Sequence, residues 1–261
     1  MIIFTNEVFI IVITTHSSYN NKEVVAMKPI IGIVGRVDID EDQYQLFSCF
    51  EKTRRAIRDL GGIPICLLPT QNVDYYKLRN KEIPELTKAE EEDLIQELEL
   101  CDGLLIPGGY RWFSNFDLFL ARQAIKRKIP ILGICAGMQV LAILNTEGQI
   151  IEKIPGDDPH FSREKYVHTV KLKPNTYLSK LLDTEQIKVN SRHRYYVTSI
   201  NKDFYQINAY SDDGYIEGFE SKGDPYVMAV QWHPESMVQY DIYARKIIED
   251  FILHAKKNMS D

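Results

Sequence analysis

Five residues, Gly133-Ile134-Cys135-Ala136-Gly137, constrain the fold of this chain more than any other stretch. They join a short apolar run, 129–134, to a helical pattern, 136–144. An apolar run without alternation reads as a strand buried on both faces, as in a parallel sheet covered by helices. Glycines on either side of one residue permit a sharp turn there. The pentapeptide is the cysteine counterpart of the G-x-S-x-G elbow, in which a strained strand-to-helix turn lifts the side chain above the sheet edge. The helix that follows aims its first amides at the sulfur, and their partial positive charge favours a thiolate. The competing reading of a lone cysteine is a small hydrophobe packed in the core. The glycine frame, with a strand before it and a helix after it, favours the nucleophile.

The rest of the chain from Met27 repeats the same rhythm. Residues 29–35 (PIIGIVG), 63–68 and 103–107 are further apolar runs, the first and third closing on glycine. Between the first two, Leu46, Phe47, Phe50, Ile57 and Leu60 recur at helical spacing and predict a helix stopped by Gly61-Gly62. Residues 71–86 read as a surface excursion. Thr87 with Glu90 is a capping-box signature for a helix carrying Leu94, Ile95 and Leu98. A helix is predicted over 115–128. Beyond about residue 148, short runs separated by turn residues, among them 168–172, 187–190, 195–200, 205–210 and 226–232, suggest antiparallel strands. A last helix spans about 239–257. The expected fold is therefore α/β: a flavodoxin-like, doubly wound, mostly parallel sheet with helices on both faces. A smaller, partly antiparallel sheet is expected in the C-terminal half. Residues 27–261 read as one domain. Residues 1–26 read as an extension or a misassigned start rather than a secretory signal, because the apolar run 8–13 is short and follows Glu7 rather than a basic segment.

Composition excludes several classes. Lys plus Arg number 31 and Asp plus Glu 37, a net charge of −6, so the basic excess that phosphate backbones require is missing. No apolar run approaches a membrane span. The four cysteines are far apart without a CxxC pair, which argues against a disulfide framework or a thiolate metal site and fits a cytoplasmic setting. Asp38, Asp40 and Asp42 mimic a calcium loop, but Gln43 stands where glycine is needed and Cys49 where glutamate is. No metal ligand set is read.

A cysteine nucleophile needs a base. His16 lies in the extension, His254 sits beside lysines near a helix end, and His160 and His168 flank a polar stretch without a partner pattern. His233 differs: it ends an apolar strand and precedes Pro234 and Glu235. Proline holds the residue before it extended. The carboxylate two residues on can then reach one imidazole nitrogen and leave the other for a thiol, the nucleophile–base–orienter arrangement of a triad. By itself His-Pro-Glu also reads as a surface turn.

GICAGMQ followed far downstream by QWHPE resembles the class I glutamine amidotransferase superfamily. PIIGIVGR, CDGLLIPGG, PILGICAGMQVLA and VNSRH are similar to strings of its gamma-glutamyl-gamma-aminobutyrate hydrolase branch, and the likeness covers about residues 28–255. The resemblance implies Cys135 as nucleophile, His233 as base and Glu235 as third member. It implies that the amides of Gly109 and Ala136 form an oxyanion hole and that Gly108, Gln139, Asn190, Ser191, Arg192 and His193 border the substrate. Tyr110 and Arg111, expected to border the leaving amine of the substrate, stand where the branch has a longer acidic, proline-containing segment, and His193-Arg194 where it often has two histidines. The implied activity is hydrolysis of a gamma-glutamyl amide through a gamma-glutamyl thioester, with no cofactor. A glutaminase subunit feeding a separate synthetase is the alternative, and a non-catalytic binding protein the second. The expected partners are a small gamma-glutamyl compound and a second copy of the chain in a homodimer, with neither nucleic acid nor membrane.

Overall fold

The computed structural model describes residues 27–259 apart from 43, 79–83, 110–113, 145, 147, 148 and 158. The expected extension 1–26 lies outside the described residues, as do Tyr110 and Arg111. In chain order the elements begin with β1 (Ile30–Val34), β2 (Arg36–Ile39), β3 (Gln45–Ser48), α1 (Glu51–Asp59), β4 (Ile63–Leu67) and α2 (Tyr75–Leu78). They continue through α3 (Lys88–Glu99), β5 (Gly103–Ile106), α4 (Asn115–Lys126), β6 (Ile131–Ile134), α5 (Ala136–Ile143) and β7 (Ile151–Lys153). Then follow β8 (His168–Leu172), α6 (Tyr177–Leu182), β9 (Gln186–Val189), β10 (Tyr195–Val197), β11 (Tyr205–Ser211), β12 (Ile216–Ser221), β13 (Val227–Val230) and α7 (Ile242–Asn258).

One sheet organises the molecule. Its order is β4-β1-β5-β6-β13-β12-β11-β8-β9, with β10 pairing β12 and β7. The first five strands run parallel. From β13 onward the pairing is antiparallel, so the antiparallel strands of the C-terminal half continue the parallel sheet through β12. A separate two-stranded hairpin, β2–β3, stands beyond the end of β1.

Alternation inside the apolar runs explains why they lack polar residues. Leu104, Ile106, Ile131, Val227 and Ala229 face one core layer, under α3, α4 and α5. Ile31, Ile33, Leu105, Leu132, Ile134, Met228 and Val230 face the other, under α1, α6 and α7. Both faces of the parallel strands are therefore buried, as period-two geometry requires when helices cover both sides. Helix α5 is buried from Ala136 through Ala142, so apart from Gln139 it is apolar all round rather than amphipathic. The Thr87 capping box at α3 is present, and Ser114 with Asp117 forms a second one at α4.

One predicted element is corrected. The helical spacing that began at Leu46 and Phe47 belongs partly to β3, and α1 starts only at Glu51. Those two side chains are half-buried in the hairpin, where Phe47 packs edge-on against Tyr75. A four-residue overlap of apolar positions cannot separate a strand from the first turn of a helix.

The tightest packing lies where α5 crosses β5. A Cβ on Gly137 would stand 1.9 Å from the carbonyl oxygen of Ile106. No side-chain rotation relieves a clash with backbone, so the helix would have to move. We expect Gly137→Ala to cost about 3 kcal/mol or more, at or beyond the upper end for overpacked cores. Gly223→Ala, where nothing lies within 4 Å of the added carbon, should be near neutral. Urea denaturation of the two variants checks this, and equal stabilities would contradict the packing.

Candidate active site

Four loops leave the C-terminal ends of neighbouring parallel strands β1, β5, β6 and β13, the edge at which open α/β sheets bind ligands. They carry Arg36, Pro107–Gly109, Cys135 and His233.

Cys135 follows β6 and is the N-cap of α5. Its backbone has φ 54° and ψ −105°, a conformation that a side chain rarely adopts. Such strain costs on the order of 1–3 kcal/mol and persists only where the surroundings enforce it. Here the Cys135 N–H donates to the Val230 carbonyl at 2.8 Å, and the Cys135 carbonyl accepts from Gln139 N at 3.2 Å. The side chain is 7% exposed. Ala136, next in line, carries one of the helix N–H groups that have no partner within the helix.

His233 follows β13, and Pro234 opens a single 3₁₀ turn, Pro234–Ser236. That turn brings Glu235 back, so that its Oε1 meets His233 Nδ1 at 2.9 Å. The ring also neighbours Cys135, both lying beside Gly108. Burial opposes a charged imidazole, yet the Glu235 carboxylate and the Cys135 side chain together hold the His233 proton up to about 10. Gly108 is glycine because the ring covers it: an added Cβ would lie 2.7 Å from His233 Cε1 and 3.4 Å from Cys135 Cβ. The structure thus brings Cys135, His233, Glu235 and the Gly108-Gly109 loop into one cluster, in which His233 and Gly109 are partly exposed. Cys49 and Cys66 instead lie in contact with each other, and Cys101 packs in the core.

Two clamps hold this cluster. Asn190 takes both sides of the His233 backbone, donating from Nδ2 to its carbonyl at 2.9 Å and accepting its N–H at 2.8 Å. Arg36, just past β1, was not singled out from sequence. Its guanidinium donates to the Gly108 carbonyl at 3.2 Å and the Pro107 carbonyl at 2.7 Å, and it pairs with buried Asp117 at the start of α4. With the Gly108 carbonyl turned to Arg36, the Gly109 N–H of the same trans peptide points the opposite way. An arginine directly after the glycine that ends an apolar strand was the available signal, since a buried guanidinium must find acceptors.

Several residues expected to border the substrate have other partners. Asn190 is 1% exposed and is committed to the His233 backbone. Ser191 is buried and donates to the His160 carbonyl. His193 is buried, with Nδ1 turned to the Tyr195 carbonyl at 3.0 Å. These three stand behind the base, because the loop that carries them turns its side chains into the sheet's antiparallel half. Arg192 is half-buried, and its Nη1 reaches Ser236 Oγ at 3.5 Å. Gln139 is one turn past Cys135 and donates to the Tyr195 carbonyl at 3.2 Å and to Gln231 Oε1 at 3.3 Å. Tyr110 and Arg111, expected at the leaving group, lie outside the described residues.

A family model described as Peptidase C26 matches residues 114–235. A Schizosaccharomyces pombe protein named as a glutamine amidotransferase is 35% identical over 230 residues, covering 78% of this chain and 81% of its own length. The chain belongs to the class I glutamine amidotransferase-like superfamily. A Rickettsia prowazekii protein named as glutamine amidotransferase-like is 27% identical over 278 residues, covering 80% of this chain and 91% of its own. Among solved structures, a GMP synthase-type protein from Thermoplasma acidophilum shares the amidotransferase fold. It has a TM-score of 0.62 at 20% identity and covers 90% of this chain and 97% of that one. No helix among the described residues is long and apolar enough to cross a membrane.

The Arg36 clamp yields a prediction. Removing one partner of a buried ion pair costs about 3–5 kcal/mol, because the other charge stays buried without compensation. Arg36→Met should therefore lose about that much stability, since Asp117 is only 2% exposed. Chemical denaturation reads the loss directly, and a change below about 1 kcal/mol would mean that Asp117 does not depend on the guanidinium.

Proposed function

We propose that this amidotransferase-superfamily protein is a cysteine hydrolase that cleaves the amide bond of a small gamma-glutamyl compound. The carrying observation is the cluster itself: a cysteine on a strained elbow, beside an imidazole whose Nδ1 is held by Glu235 at 2.9 Å. In this reading the Cys135 sulfur attacks the side-chain carbonyl carbon. The Gly109 and Ala136 N–H groups receive the developing oxyanion, which backbone donors stabilise without reorganising. His233 gives its proton to the departing amine as the C–N bond breaks, leaving a gamma-glutamyl thioester. It then takes a proton from water, whose oxygen bonds to the acyl carbon as the C–S bond breaks. Glu235 orients the ring and favours its charged form. Gln139 and the loop amides hold the glutamyl end. Acyl transfer to water asks only for a nucleophile, a base and oxyanion donors.

Parallel turnover measurements on gamma-glutamyl amides, gamma-glutamyl peptides and free glutamine test the reading. Cys135→Ala should keep the fold and lower turnover by about 10⁴-fold or more, and His233→Ala nearly as much. Glu235→Gln should cost less, because an orienting group does not itself make or break bonds. Undiminished activity in Cys135→Ala would remove the assignment. Turnover confined to glutamine, and dependent on an added synthetase, would transfer it to an ammonia-supplying subunit.

The pH profile gives an independent check. His233 must carry the proton that it donates, so kcat/KM falls as pH rises through the value of about 10 at which that proton leaves. Burial alone would pull that value down, and Glu235 is the foremost of the groups that raise it. The alkaline limb in Glu235→Gln should therefore lie at lower pH than in the parent. An unmoved limb would show that Glu235 does not set the protonation of the base.

A further inference from the structure

The antiparallel half of the sheet contains a second convergence of functional side chains that the hydrolase reading does not use. His160 comes from the segment before β8, His168 from the start of β8, His193 from the loop between β9 and β10, and Glu217 from β12. One ligand atom from each lies within 4.8 Å of all the others. His160 Nδ1, His168 Nε2 and His193 Nε2 stand 3.5, 3.7 and 3.4 Å from the same oxygen, Glu217 Oε1. All four atoms are buried and make no hydrogen bond among the described residues, and Glu217 is fully enclosed.

The outward nitrogens fix what the inward ones present. His168 Nδ1 faces the Thr169 carbonyl at 3.3 Å and His193 Nδ1 the Tyr195 carbonyl at 3.0 Å. A carbonyl oxygen only accepts, so those nitrogens carry the hydrogens and the neutral rings turn bare lone pairs toward Glu217. His160 Nε2 is held in the same way by Asp213 Oδ2 at 2.8 Å. Lone pairs aimed at a carboxylate repel it unless a cation lies between them. A proton on one imidazole would pull that nitrogen to a charge-assisted contact of about 2.7–2.9 Å. Instead the three separations are long and nearly equal. They approach the roughly 3.3–3.4 Å edge of a tetrahedron whose ligands lie about 2.0–2.1 Å from a central metal. The acceptors behind each ring match the hydrogen-bonded outer shell that orients metal-binding histidines.

We propose that His160, His168, His193 and Glu217 form a closed site for one divalent transition metal, zinc by geometry and donor type. Three imidazoles and a carboxylate fill a tetrahedron and leave no open position, the pattern of a structural rather than a catalytic site. The ion ties together the segments around residues 160, 168 and 193. The same loop carries Asn190, which clamps His233, and Ser191, which donates to the His160 carbonyl. The metal therefore fixes the support of the base without touching substrate.

The test uses the full chain without a histidine tag, stripped with a chelator and then given Zn²⁺ alone. We expect one zinc per chain to survive gel filtration. At a free concentration about 1,000 times the Kd, the melting temperature should rise by roughly 8 °C or more. His168→Ala and Glu217→Gln should each lose at least nine-tenths of the retained zinc together with the thermal shift. If either variant fails to fold, Co²⁺ added to the stripped parent decides. Tetrahedral visible bands without a thiolate-to-cobalt charge-transfer band support the site, and a thiolate band places the ion on a cysteine, at Cys135 or at the Cys49–Cys66 pair, and overturns it. Absence of zinc retention and thermal response in the parent, or full retention in both variants, also overturns it. None of these readouts depends on turnover, so they stand or fall apart from the hydrolase reading.

Discussion

Everything at the site depends on one backbone conformation, that of Cys135 at φ 54°. A non-glycine residue stays there only if both neighbours leave it no alternative. Behind it, β6 is locked in the sheet between β5 and β13, and the Cys135 N–H itself continues the ladder to Val230. Ahead of it, α5 is pressed so closely on β5 that Gly137 has no room for a side chain. The strain of on the order of 1–3 kcal/mol is small against the burial of seven consecutive helix residues, Ala136 through Ala142, each apolar side chain contributing about 1.5–3 kcal/mol when large. Packing therefore wins, and the sulfur is aimed by the core rather than by contacts of its own.

The remaining groups are positioned by polar clamps, because they lie on loops that the core does not grip. Arg36 reaches two carbonyls of the β5 loop, and Asn190 takes both backbone groups of His233. Each clamp is charged or bidentate, and each is buried. That combination gives direction as well as energy, since a planar guanidinium or amide accepts few alternative geometries. It also makes the site brittle: a clamp removed leaves its partner desolvated and unpaired.

The parallel sheet, the elbow and the His-Pro-Glu turn were legible in the sequence because each is a local pattern: a continuous apolar run, glycines at fixed offsets, a proline beside a carboxylate. The capping box at Thr87 was legible for the same reason. Leu46 and Phe47 were misplaced because two apolar residues next to a helix fit its period by chance while their strand partners lie across a turn at Val37 and Asp38. Nothing near Arg36 in the sequence points to Asp117. His160, His168, His193 and Glu217 have no mutual spacing at all. Only the order of β12, β11, β8 and β9 in the sheet brings them together. A cluster assembled by sheet order is invisible to any reading of spacing, however well the strands themselves are found.

Sheet order also explains why one short loop serves two clusters. The segment 190–193 leaves β9 at the antiparallel edge and must return toward β10, which pairs with β12 beside β13. Its first residue consequently meets the end of β13, where His233 begins its turn, and its last meets Glu217 on β12. Between them Ser191 is fastened to the His160 carbonyl, so the loop cannot shift at one end without moving at the other. The Tyr195 carbonyl adds a second link, since it accepts from Gln139 on the nucleophile's helix and from His193 on the other side. The parallel half supplies the reacting groups, and the antiparallel half supplies the rigidity that keeps the base in register with them. The histidine–glutamate cluster therefore stands directly behind the support of the base, joined to it through Ser191 and the His160 carbonyl.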